Sequence, residues 1–314
     1  MSGRPTSVAS RTPAGDTTLS RLPDEDLRRM LFIRHFEQRL LDLFAEGVLS
    51  GTTHTCLGQE YVPVALRPLL AADDFVFSNH RGHGHYLARF DDPVGLLAEV
   101  MGRRGAICSG VGGSQHILRE RYLSTGVQGQ SVPVAVGAAL HLRRTGASAL
   151  ACVYVGDGTW GEGAVYEALN LAQLWRVPLL VVVEHNGVAQ STPTELQMAG
   201  TIADRAAAFG LRHTGVTSLD VTTIRRQLAP VVAAVRRENR PTVVEFRTYR
   251  LGPHSKGDDT RDPADRARVA EHDWYRLYER QHPEHFRRFD QPQRTAVDEV
   301  VDEVRRRPPA TWEA

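Results

Sequence analysis

The chain has 314 residues, enough for one large α/β domain with its own hydrophobic core, and its 38 basic residues balance 37 acidic ones. This balance excludes a charge field that would gather nucleic acid or anionic lipid, so small-molecule chemistry is expected. Three widely spaced cysteines and the lack of an apolar run of roughly 20 residues argue against a disulfide framework, a zinc site and a membrane span, and favour a cytoplasmic protein.

Residues 1–22 are rich in Ser, Thr, Pro and Arg and contain one acidic residue, Asp16. An organelle transit peptide has a similar composition, but this segment lacks a periodic apolar face, which favours a disordered tail. From Pro23 the pattern becomes helical, because apolar residues recur at three- and four-residue spacing, and Gly47 can end the helix. Residues 23–262 are therefore predicted to form the main, ligand-binding domain.

The next segments predict a helix, a short strand and an exposed loop. Gln59 to Leu70 is apolar and fits a helix, and Phe75–Ser78 fits a strand. The loop Asn79–His85 follows and places glycines between three histidines and an arginine. Such a loop lets the backbone approach a charged ligand closely. A segment with two glycines, 126–129, then precedes a helix of small residues, Pro133 to Leu142.

The clearest unit is a strand–helix–strand pattern in the middle of the chain. The continuous apolar run Ala149–Val155 is typical of a strand buried on both faces, and the helix Ala164–Trp175 connects it to a second such strand, Val177–Val183. This βαβ pattern predicts two parallel strands. Asp157 follows the first strand and Asn186 the second, so both are expected at the carboxyl edge of the sheet, where open α/β sheets bind ligands.

The remaining pattern alternates helix and strand and predicts a doubly wound, mostly parallel α/β sheet with helices on both faces. The segments concerned are the helix Ile202–Phe209, the strand Arg212–Val216, the helix Val221–Arg237 and the strand Thr242–Thr248. Residues 263–314 are rich in Arg, Asp and His and show little apolar periodicity, so a peripheral helical extension is expected there.

Asp157 and Asn186 together offer the oxygen ligands that magnesium prefers. Gly156 and Gly158 leave backbone amides open to an anion, and the predicted helix that starts near Gly161 points its positive end at the same place. These residues fit a diphosphate bridged by magnesium. An ordinary strand-to-helix turn with Asp157 as the helix cap explains the same residues, and the local sequence leaves both interpretations open.

The segment from Gly156 to Asn186 resembles the thiamine diphosphate signature, which opens with Gly-Asp-Gly and closes on an asparagine. Its surroundings resemble the alpha subunits of the decarboxylating component of pyruvate, branched-chain 2-oxo acid and acetoin dehydrogenases. The matching stretches appear in the order of that family: Ile33–Glu37, His54, Gly58–Glu60, His80–Gly84, Gly112–His116, Pro133–Leu140, Glu167–Asn170, Glu184–Thr192, Tyr249–Arg250 and His254–Ser255.

The resemblance implies a ligand set for magnesium, namely the side chains of Asp157 and Asn186 and the backbone carbonyl of Val188. It also implies that Arg81 binds the diphosphate, with His80 at a position where the family often has tyrosine. The other predicted diphosphate contacts belong to one glycine-containing turn: Gly156, Gly158 and Thr159.

The resemblance also places residues around the reacting part of the cofactor. Gly126 and Gln128 match backbone positions that hold the aminopyrimidine ring. His54 is expected near the reacting carbon and His254 on a loop that closes over the site, so both are predicted catalytic residues and His254 is also a predicted cofactor contact. A solvated turn is the alternative for His254. Structural or solvated roles are expected for three other histidines, His83, His85 and His116.

Four departures from the family pattern leave the substrate and the loop closure open. In one of them, Gly187 and Val188 replace a bulkier pair. His185 replaces the first of two asparagines that usually end the signature. Gln128 replaces a small aliphatic residue, and Gly252–Pro253 alters the loop before His254.

The resemblance implies a partner chain as well. Thiamine diphosphate needs a carboxylate that protonates its aminopyrimidine ring, and in the two-chain enzymes that glutamate belongs to the beta subunit. Glu60 and Glu162 are candidates within this chain, but the sequence shows no second α/β domain to hold the pyrimidine. We therefore expect two alpha and two beta chains that decarboxylate a 2-oxo acid and pass the acyl group to a lipoyl-bearing acyltransferase or another carrier.

Other functions use the same type of domain. The stretch Gly158–Gly163 is also similar to transketolase, although His80–Gly84 argues against that enzyme. A two-chain carboligase that joins the intermediate to an aldehyde or ketone fits the same residues. A cofactor-binding subunit without turnover is the third alternative, which the intact Asp157 and Arg81 disfavour. The sequence names neither the 2-oxo acid nor the acyl acceptor.

Overall fold

The structure is a computed structural model that describes residues 17–49, 51–255 and 259–311. Within these ranges the main sheet has seven strands in the order β2-β3-β1-β4-β5-β9-β8. They are β1 (Phe75–Ser78), β2 (Leu118–Arg119), β3 (Tyr122–Ser124), β4 (Ala151–Gly156), β5 (Leu179–His185), β8 (Arg212–Val216) and β9 (Thr242–Arg247). A separate hairpin consists of β6 (Val188–Ala189) and β7 (Thr192–Pro193).

The main sheet is parallel except at one edge, where β2 pairs antiparallel with β3. Strands β4 and β5 lie next to each other in its centre and are buried along almost their whole length. Because alternate side chains of a strand point to opposite faces, both faces of these strands need a helical cover. The predicted doubly wound α/β fold is confirmed.

Helices cover both faces. They are α1 (Asp24–Ala45), α2 (Tyr61–Leu66), α3 (His83–Phe90), α4 (Pro93–Met101), α5 (Ser131–Thr145), α6 (Gly163–Leu174), α7 (Ile202–Ala208), α8 (Val221–Glu238), α9 (Pro263–Ala270), α10 (Trp274–Gln281) and α11 (Pro283–Arg306). On one face Cys152 and Tyr154 of β4 pack with α1, α2, α8 and α11, and on the other Val153 and Val155 pack with α5, α6 and α7. In the described ranges no helix is both long and apolar enough to cross a membrane.

The predicted loop Asn79–His85 is wrong at its end, because α3 begins at His83. Gly82 precedes the helix, and His83 and His85 are buried in it with polar partners rather than exposed on a loop. The following helix α4 is not among the elements predicted from the sequence. Its start is well marked, because the Asp92 carboxylate accepts a hydrogen bond from the amide of Gly95 at 2.9 Å.

The carboxyl-terminal helices are not peripheral, in contrast to the extension expected over 263–314. Helix α11 packs along α1, and its apolar side chains belong to the same core as the sheet. Trp274 and Tyr278 of α10 are fully buried. The many arginines of α11 obscure the apolar periodicity in its sequence. The buried face of this helix consists of Phe286, Phe289, Val297, Val301 and Val304.

The packed chain also starts before the expected boundary at Pro23. Leu19 and Leu22 are buried, and their backbone amides donate to Gln281 Oε1 at 2.8 Å and to the Tyr278 hydroxyl at 2.9 Å. This part of the expected tail is therefore held by the carboxyl-terminal helices. Residues 1–16 of the expected tail lie outside the described residues.

Candidate active site

Asp157 and Asn186 reach the same edge of the sheet. Strand β4 ends at Gly156, which pairs with Glu184 of the parallel strand β5, so Asp157 and Asn186 both follow the carboxyl ends of neighbouring strands. Asp157 is buried at the start of a 3₁₀ turn that ends at Gly161. Helix α6 follows at Gly163, one residue before the start of the expected range Ala164–Trp175 and two residues after Gly161.

The Asp157 carboxylate does not act as a helix cap. Neither the 3₁₀ turn nor α6 receives a side-chain cap, and the Asp157 carboxylate instead accepts a hydrogen bond from the hydroxyl of Thr194. Thr194 follows the β6–β7 hairpin, which folds back over the edge of the sheet. The capping alternative that the sequence left open is thereby removed.

The hairpin also brings Val188 to this edge. The Asn186 side-chain oxygen accepts a hydrogen bond from the Val188 amide at 3.1 Å, which fixes the turn between them. A Cβ atom on Gly158 would lie 2.5 Å from the Cβ of Ala189 in the same hairpin, so the close approach requires glycine there. Gly156 has no such neighbour. The turn and the hairpin thus form a narrow cradle of backbone around Asp157.

Arg81 is a buried cation next to this edge. Its guanidinium donates to the carbonyl of Thr55 and, at 3.5 Å, to the carbonyl of His254. Burial lowers the pKa of Arg81, against the opposing charge of Glu184. Among the residues that the structure describes, no carboxylate forms a salt bridge with Arg81. Hydrogen bonds to carbonyl groups do not neutralise the positive charge of a buried guanidinium. Arg81 can therefore bind an anionic ligand.

Three histidines meet beside Arg81. The ring centre of His54 lies 4.7 Å from that of His80 and 4.7 Å from that of His254, and the other two rings are 5.6 Å apart. Burial, reinforced by the charges of Arg81, the two other histidines and Arg250, holds the pKa of His80 well below 6.5. His80 is therefore a neutral imidazole at neutral pH.

Two glutamines contact these histidines. The amide nitrogen of Gln128 lies 2.8 Å from Nδ1 of His80, and that of Gln115 lies 3.1 Å from Nδ1 of His54. Gly126 adjoins both amides, because its carbonyl accepts from Gln128 at 3.3 Å and a Cβ atom on it would lie 1.9 Å from Gln115 Oε1. The residues expected around the aminopyrimidine ring therefore lie against the histidine cluster.

The Gln128 side chain also connects the cluster to the turn after β4. Its Oε1 accepts a hydrogen bond from the Thr159 hydroxyl at 2.7 Å. Thr159 is buried two residues beyond Asp157. The structure thus brings together the predicted site residues from six separate parts of the chain. Sequence reasoning missed Gln115 and Thr194 as site residues, since nothing but their contacts distinguishes them.

The loop that carries His254 is held from both sides. Arg250 donates to the carbonyl of Gln190 at 3.0 Å, and Arg261 donates to the carbonyls of Arg250 at 2.7 Å and Gly252 at 2.9 Å. The loop packs on Gly58, where a Cβ atom would lie 2.2 Å from the carbonyl oxygen of Tyr249. His254 is partly buried within it and is not a solvated turn residue.

Two of the other histidines have structural contacts. His83 lies between Glu37, at 3.1 Å from Nδ1, and the Ser114 hydroxyl, at 2.8 Å from Nε2. His85 lies between the Ser78 hydroxyl and Glu184 and stacks on Tyr154. His116 is exposed. These contacts agree with the structural or solvated roles expected for the three residues.

His185 replaces an asparagine of the family pattern. It forms a charged cluster with Glu245, His213 and the predicted magnesium ligand Asp157. Its Nδ1 lies 2.7 Å from Glu245 Oε1, and its Nε2 lies 3.7 Å from Asp157 Oδ2. His213 Nε2 lies 2.8 Å from the other oxygen of Glu245. Burial alone would lower the pKa of His185, but the hydrogen bond to Glu245 and the charge of Asp157 raise it above 6.5.

Glu60 and Glu162 are the two candidates in this chain for the carboxylate that activates the cofactor, and neither is in a suitable position. Glu60 is fully buried and accepts hydrogen bonds from Arg34 Nε at 2.5 Å, Trp274 Nε1 at 2.7 Å and the Gly58 amide at 2.8 Å. These bonds tie Glu60 to the carboxyl-terminal helices. Glu162 is exposed before α6.

The fold and the site together define a class of protein: a doubly wound α/β domain with a carboxylate and an amide at the carboxyl edge of its central strands, next to a buried arginine. Comparisons with known proteins agree. The dehydrogenase E1 component family matches residues 28–280.

Relatives support the same assignment. The alpha subunit of acetoin:2,6-dichlorophenolindophenol oxidoreductase from Bacillus subtilis is 36% identical over 235 residues, which cover 74% of this chain and 71% of that protein. The alpha subunit of the pyruvate dehydrogenase E1 component is 36% identical over 242 residues in Zymomonas mobilis, covering 76% and 68%, and 34% identical over 257 residues in Rhizobium meliloti, covering 80% and 74%.

The chain therefore belongs to the dehydrogenase E1 component family. The resemblance to the alpha subunits of this family is confirmed, and so is the enzyme class, a component of the thiamine diphosphate-dependent 2-oxo acid dehydrogenases.

Proposed function

We propose that the chain is the alpha subunit of a thiamine diphosphate-dependent 2-oxo acid decarboxylase that holds the diphosphate through Mg²⁺ and works only with a separate beta subunit. The observation that carries this proposal is the position of Asp157 and Asn186 after neighbouring parallel strands, beside the buried Arg81. That arrangement combines oxygen ligands for a hard cation with a positive charge for its anionic ligand.

The residues at the sheet edge fit the magnesium ion. Mg²⁺ takes oxygen ligands and is usually bound by one or two protein groups together with substrate phosphates. The side chains of Asp157 and Asn186 and the backbone carbonyl of Val188 would hold it. The bond from the Val188 amide to Asn186 Oδ1 keeps the last two residues in one turn.

The diphosphate would lie in the backbone cradle that Gly158 opens. Arg81 would bind it with two guanidinium N–H groups, since a fork of this kind matches two phosphate oxygens. Gly156 and Thr159 supply backbone amides on either side of Gly158, and His80 is partly buried beside Arg81. Gly126 and Gln128 would hold the aminopyrimidine ring through their backbones.

When bound, thiamine diphosphate supplies an electron sink for the loss of carbon dioxide from a 2-oxo acid. This chain contributes position and electrostatics. His54 and His254 border the site 4.7 Å apart, ring to ring, and we assign them the role of contacting the reacting groups. His254 reaches that place on a loop held by Arg250 and Arg261.

The carboxylate that activates the cofactor would come from the beta subunit. The Glu60 carboxylate is held by hydrogen bonds from Arg34 and Trp274, and Glu162 is exposed just before α6. We propose an assembly of two alpha and two beta chains in the cytoplasm that passes its acyl group to a lipoyl-bearing acyltransferase or another carrier.

The substrate is tested with the assembled enzyme. The chain is purified with its beta subunit, and turnover is measured with pyruvate, with branched 2-oxo acids and, because one relative is named for it, with acetoin and 2,6-dichlorophenolindophenol. We expect turnover of a 2-oxo acid that stops when Mg²⁺ is chelated and returns when it is added back. Turnover that persists without thiamine diphosphate and Mg²⁺ would refute the proposal.

A further inference from the structure

Two histidines of the cluster are paired with glutamines in the same way. His80 Nδ1 faces the amide nitrogen of Gln128 at 2.8 Å, and His54 Nδ1 faces the amide nitrogen of Gln115 at 3.1 Å. The pairs are formed across 48 and 61 residues of sequence, so tertiary folding alone creates them. An amide nitrogen has no lone pair to offer and can only donate. The direction of each bond therefore depends on which way the amide group is turned.

The surroundings of Gln128 fix its amide. Its nitrogen also lies 3.3 Å from the carbonyl oxygen of Gly126, and its oxygen accepts from the hydroxyl of Thr159 at 2.7 Å. A flipped amide would place its oxygen against the Gly126 carbonyl oxygen, which repels it. The nitrogen of Gln128 therefore faces both Gly126 and His80.

Gln115 is held in a corresponding way. Its amide nitrogen lies 3.0 Å from the hydroxyl and 3.4 Å from the carbonyl of Thr52. Its oxygen occupies the space beside the Cα of Gly126 where a side chain would begin. The carbonyl of Thr52 accepts hydrogen bonds only, so it selects the nitrogen of Gln115. Both glutamines thus present N–H groups to imidazole Nδ1 atoms.

We propose that Gln115 and Gln128 are positioning residues that hold His54 and His80 as neutral imidazoles with the proton on Nε2. A ring nitrogen that accepts a hydrogen bond carries no proton, and the other nitrogen of a neutral ring must then carry it. Burial and the neighbouring cations Arg81 and Arg250, which depress the pKa of His80, also favour the neutral ring.

The same pairing argues against a transition-metal site. One ring nitrogen each of His54, His80 and His254 lies within 4.8 Å of the others, a spacing at which histidines bind metals, and no other such group occurs in the described residues. A histidine that binds metal through Nε2 normally donates its Nδ1–H to an acceptor. Here two of the three Nδ1 atoms face donors instead. His54 and His80 are thus arranged to donate hydrogen bonds through Nε2–H.

The identity of the group that accepts these hydrogen bonds rests on the proposed function. An oxygen of the 2-oxo acid or of the diphosphate would accept a hydrogen bond from an Nε2–H group. The tautomer itself depends only on contacts within this chain. The two levels are therefore tested separately.

The tautomer is read by long-range ¹H–¹⁵N correlation spectra of the full chain with ¹⁵N-labelled histidine, without cofactor or partner, at neutral pH. We expect His54 and His80 to show the Nε2–H pattern, with His54→Ala and His80→Ala providing the assignments. Gln128→Glu replaces the donor with an acceptor and should place a proton on Nδ1 of His80, as the other neutral tautomer or as the imidazolium. An Nδ1–H or imidazolium pattern in the unchanged chain would overturn the proposal without any variant.

Gln227→Glu is the matched control. Its amide nitrogen also donates to a backbone carbonyl, that of Gly215 at 2.8 Å, but it is exposed on α8 and contacts no histidine of the cluster. This variant should leave both tautomers unchanged. Stoichiometric binding of Zn²⁺ by the full chain that is abolished by His80→Ala would also contradict the donor arrangement.

The functional consequence is measured with the two-chain enzyme. A neutral hydrogen bond contributes a factor of about 3 to 10, so Gln128→Glu should lower kcat by about that factor, while Gln227→Glu should not. Unchanged kcat together with a moved proton would overturn the role in turnover. Because the spectra need no cofactor, a wrong proposed function and a wrong tautomer would be told apart.

Discussion

Removal of the charge of Asp157 is predicted to weaken magnesium-dependent binding of the cofactor about 100-fold while leaving the fold in place. Asp157→Asn is the most informative change, because an amide oxygen in the same position still accepts the hydrogen bond from the Thr194 hydroxyl. The variant loses one anionic ligand for Mg²⁺ and the charge that faces His185 at 3.7 Å. Only the first of these losses affects the ligand directly.

The expected magnitude follows from the burial of the carboxylate. Asp157 is 2% exposed, so its attraction to a bound cation is poorly screened by water. Loss of one partner of a buried ionic contact costs roughly 3 kcal/mol, which corresponds to an affinity about 100-fold weaker. In the absence of ligand the change removes a buried charge, so the melting temperature should move by only a few degrees.

The assay is calorimetric titration of the assembled enzyme with thiamine diphosphate at several fixed concentrations of Mg²⁺. Asp302→Ala, an exposed aspartate on α11, serves as the control and should bind like the unchanged enzyme. An affinity of the Asp157→Asn variant within about threefold of the control at every Mg²⁺ concentration would refute the metal assignment.

Three further changes test other parts of the account. Arg81→Ala should weaken cofactor binding at least about 10-fold with little loss of stability, since its charge is kept for an anion; a large fall in melting temperature of the cofactor-free protein would show a structural role instead. Glu60→Gln should destabilise the chain by roughly 3 kcal/mol in urea unfolding, because Arg34 loses a buried partner, while the enzyme that remains folded keeps its kcat. Glu245→Gln tests the charged cluster: the pKa of Glu245 is lowered to about 2 by hydrogen bonds to His185 and His213, although burial opposes this. The contribution of Glu245 to stability is therefore present above pH 4.5 and lost as the pH falls toward 2. The urea midpoints of the variant and the unchanged chain should differ at pH 5.5 and converge toward pH 2. Equal midpoints at every pH would contradict this.

The centre of the fold could be predicted from the sequence because its signal is local. Strands β4 and β5 are continuous apolar runs, and such runs next to a helical connection have one common solution, a parallel pair buried on both faces. The edge residues Asp157 and Asn186 follow from the strand ends. Their placement required no knowledge of the rest of the chain.

The carboxyl-terminal helices could not be predicted in the same way. Helix α11 contains many arginines, and its buried face becomes apparent only when it packs on α1. Phe286 and Phe289 are too few to give a clear period in a charged segment. Burial of α10 depends further on Trp274, which donates to Glu60 across 214 residues of sequence.

Side-chain contacts in the site were the least predictable part. Motif positions placed Gln128 near the cofactor, but its bonds to His80 and Thr159 join three separate segments. Gln115 and Thr194 carry no local pattern that would assign them to the site. Amide and hydroxyl groups bond to whatever the fold brings near them, so their partners depend on tertiary structure rather than on local sequence.

Dependence on a partner chain is tested by the release of carbon dioxide from a panel of 2-oxo acids, measured for this chain alone and for this chain combined with its beta subunit. Thiamine diphosphate and Mg²⁺ are present in both preparations. We expect no turnover by the chain alone and turnover on mixing, since the activating carboxylate comes from the partner. Turnover by the chain alone at a rate comparable to that of the two-chain preparation would contradict it and would place the activating carboxylate within these 314 residues.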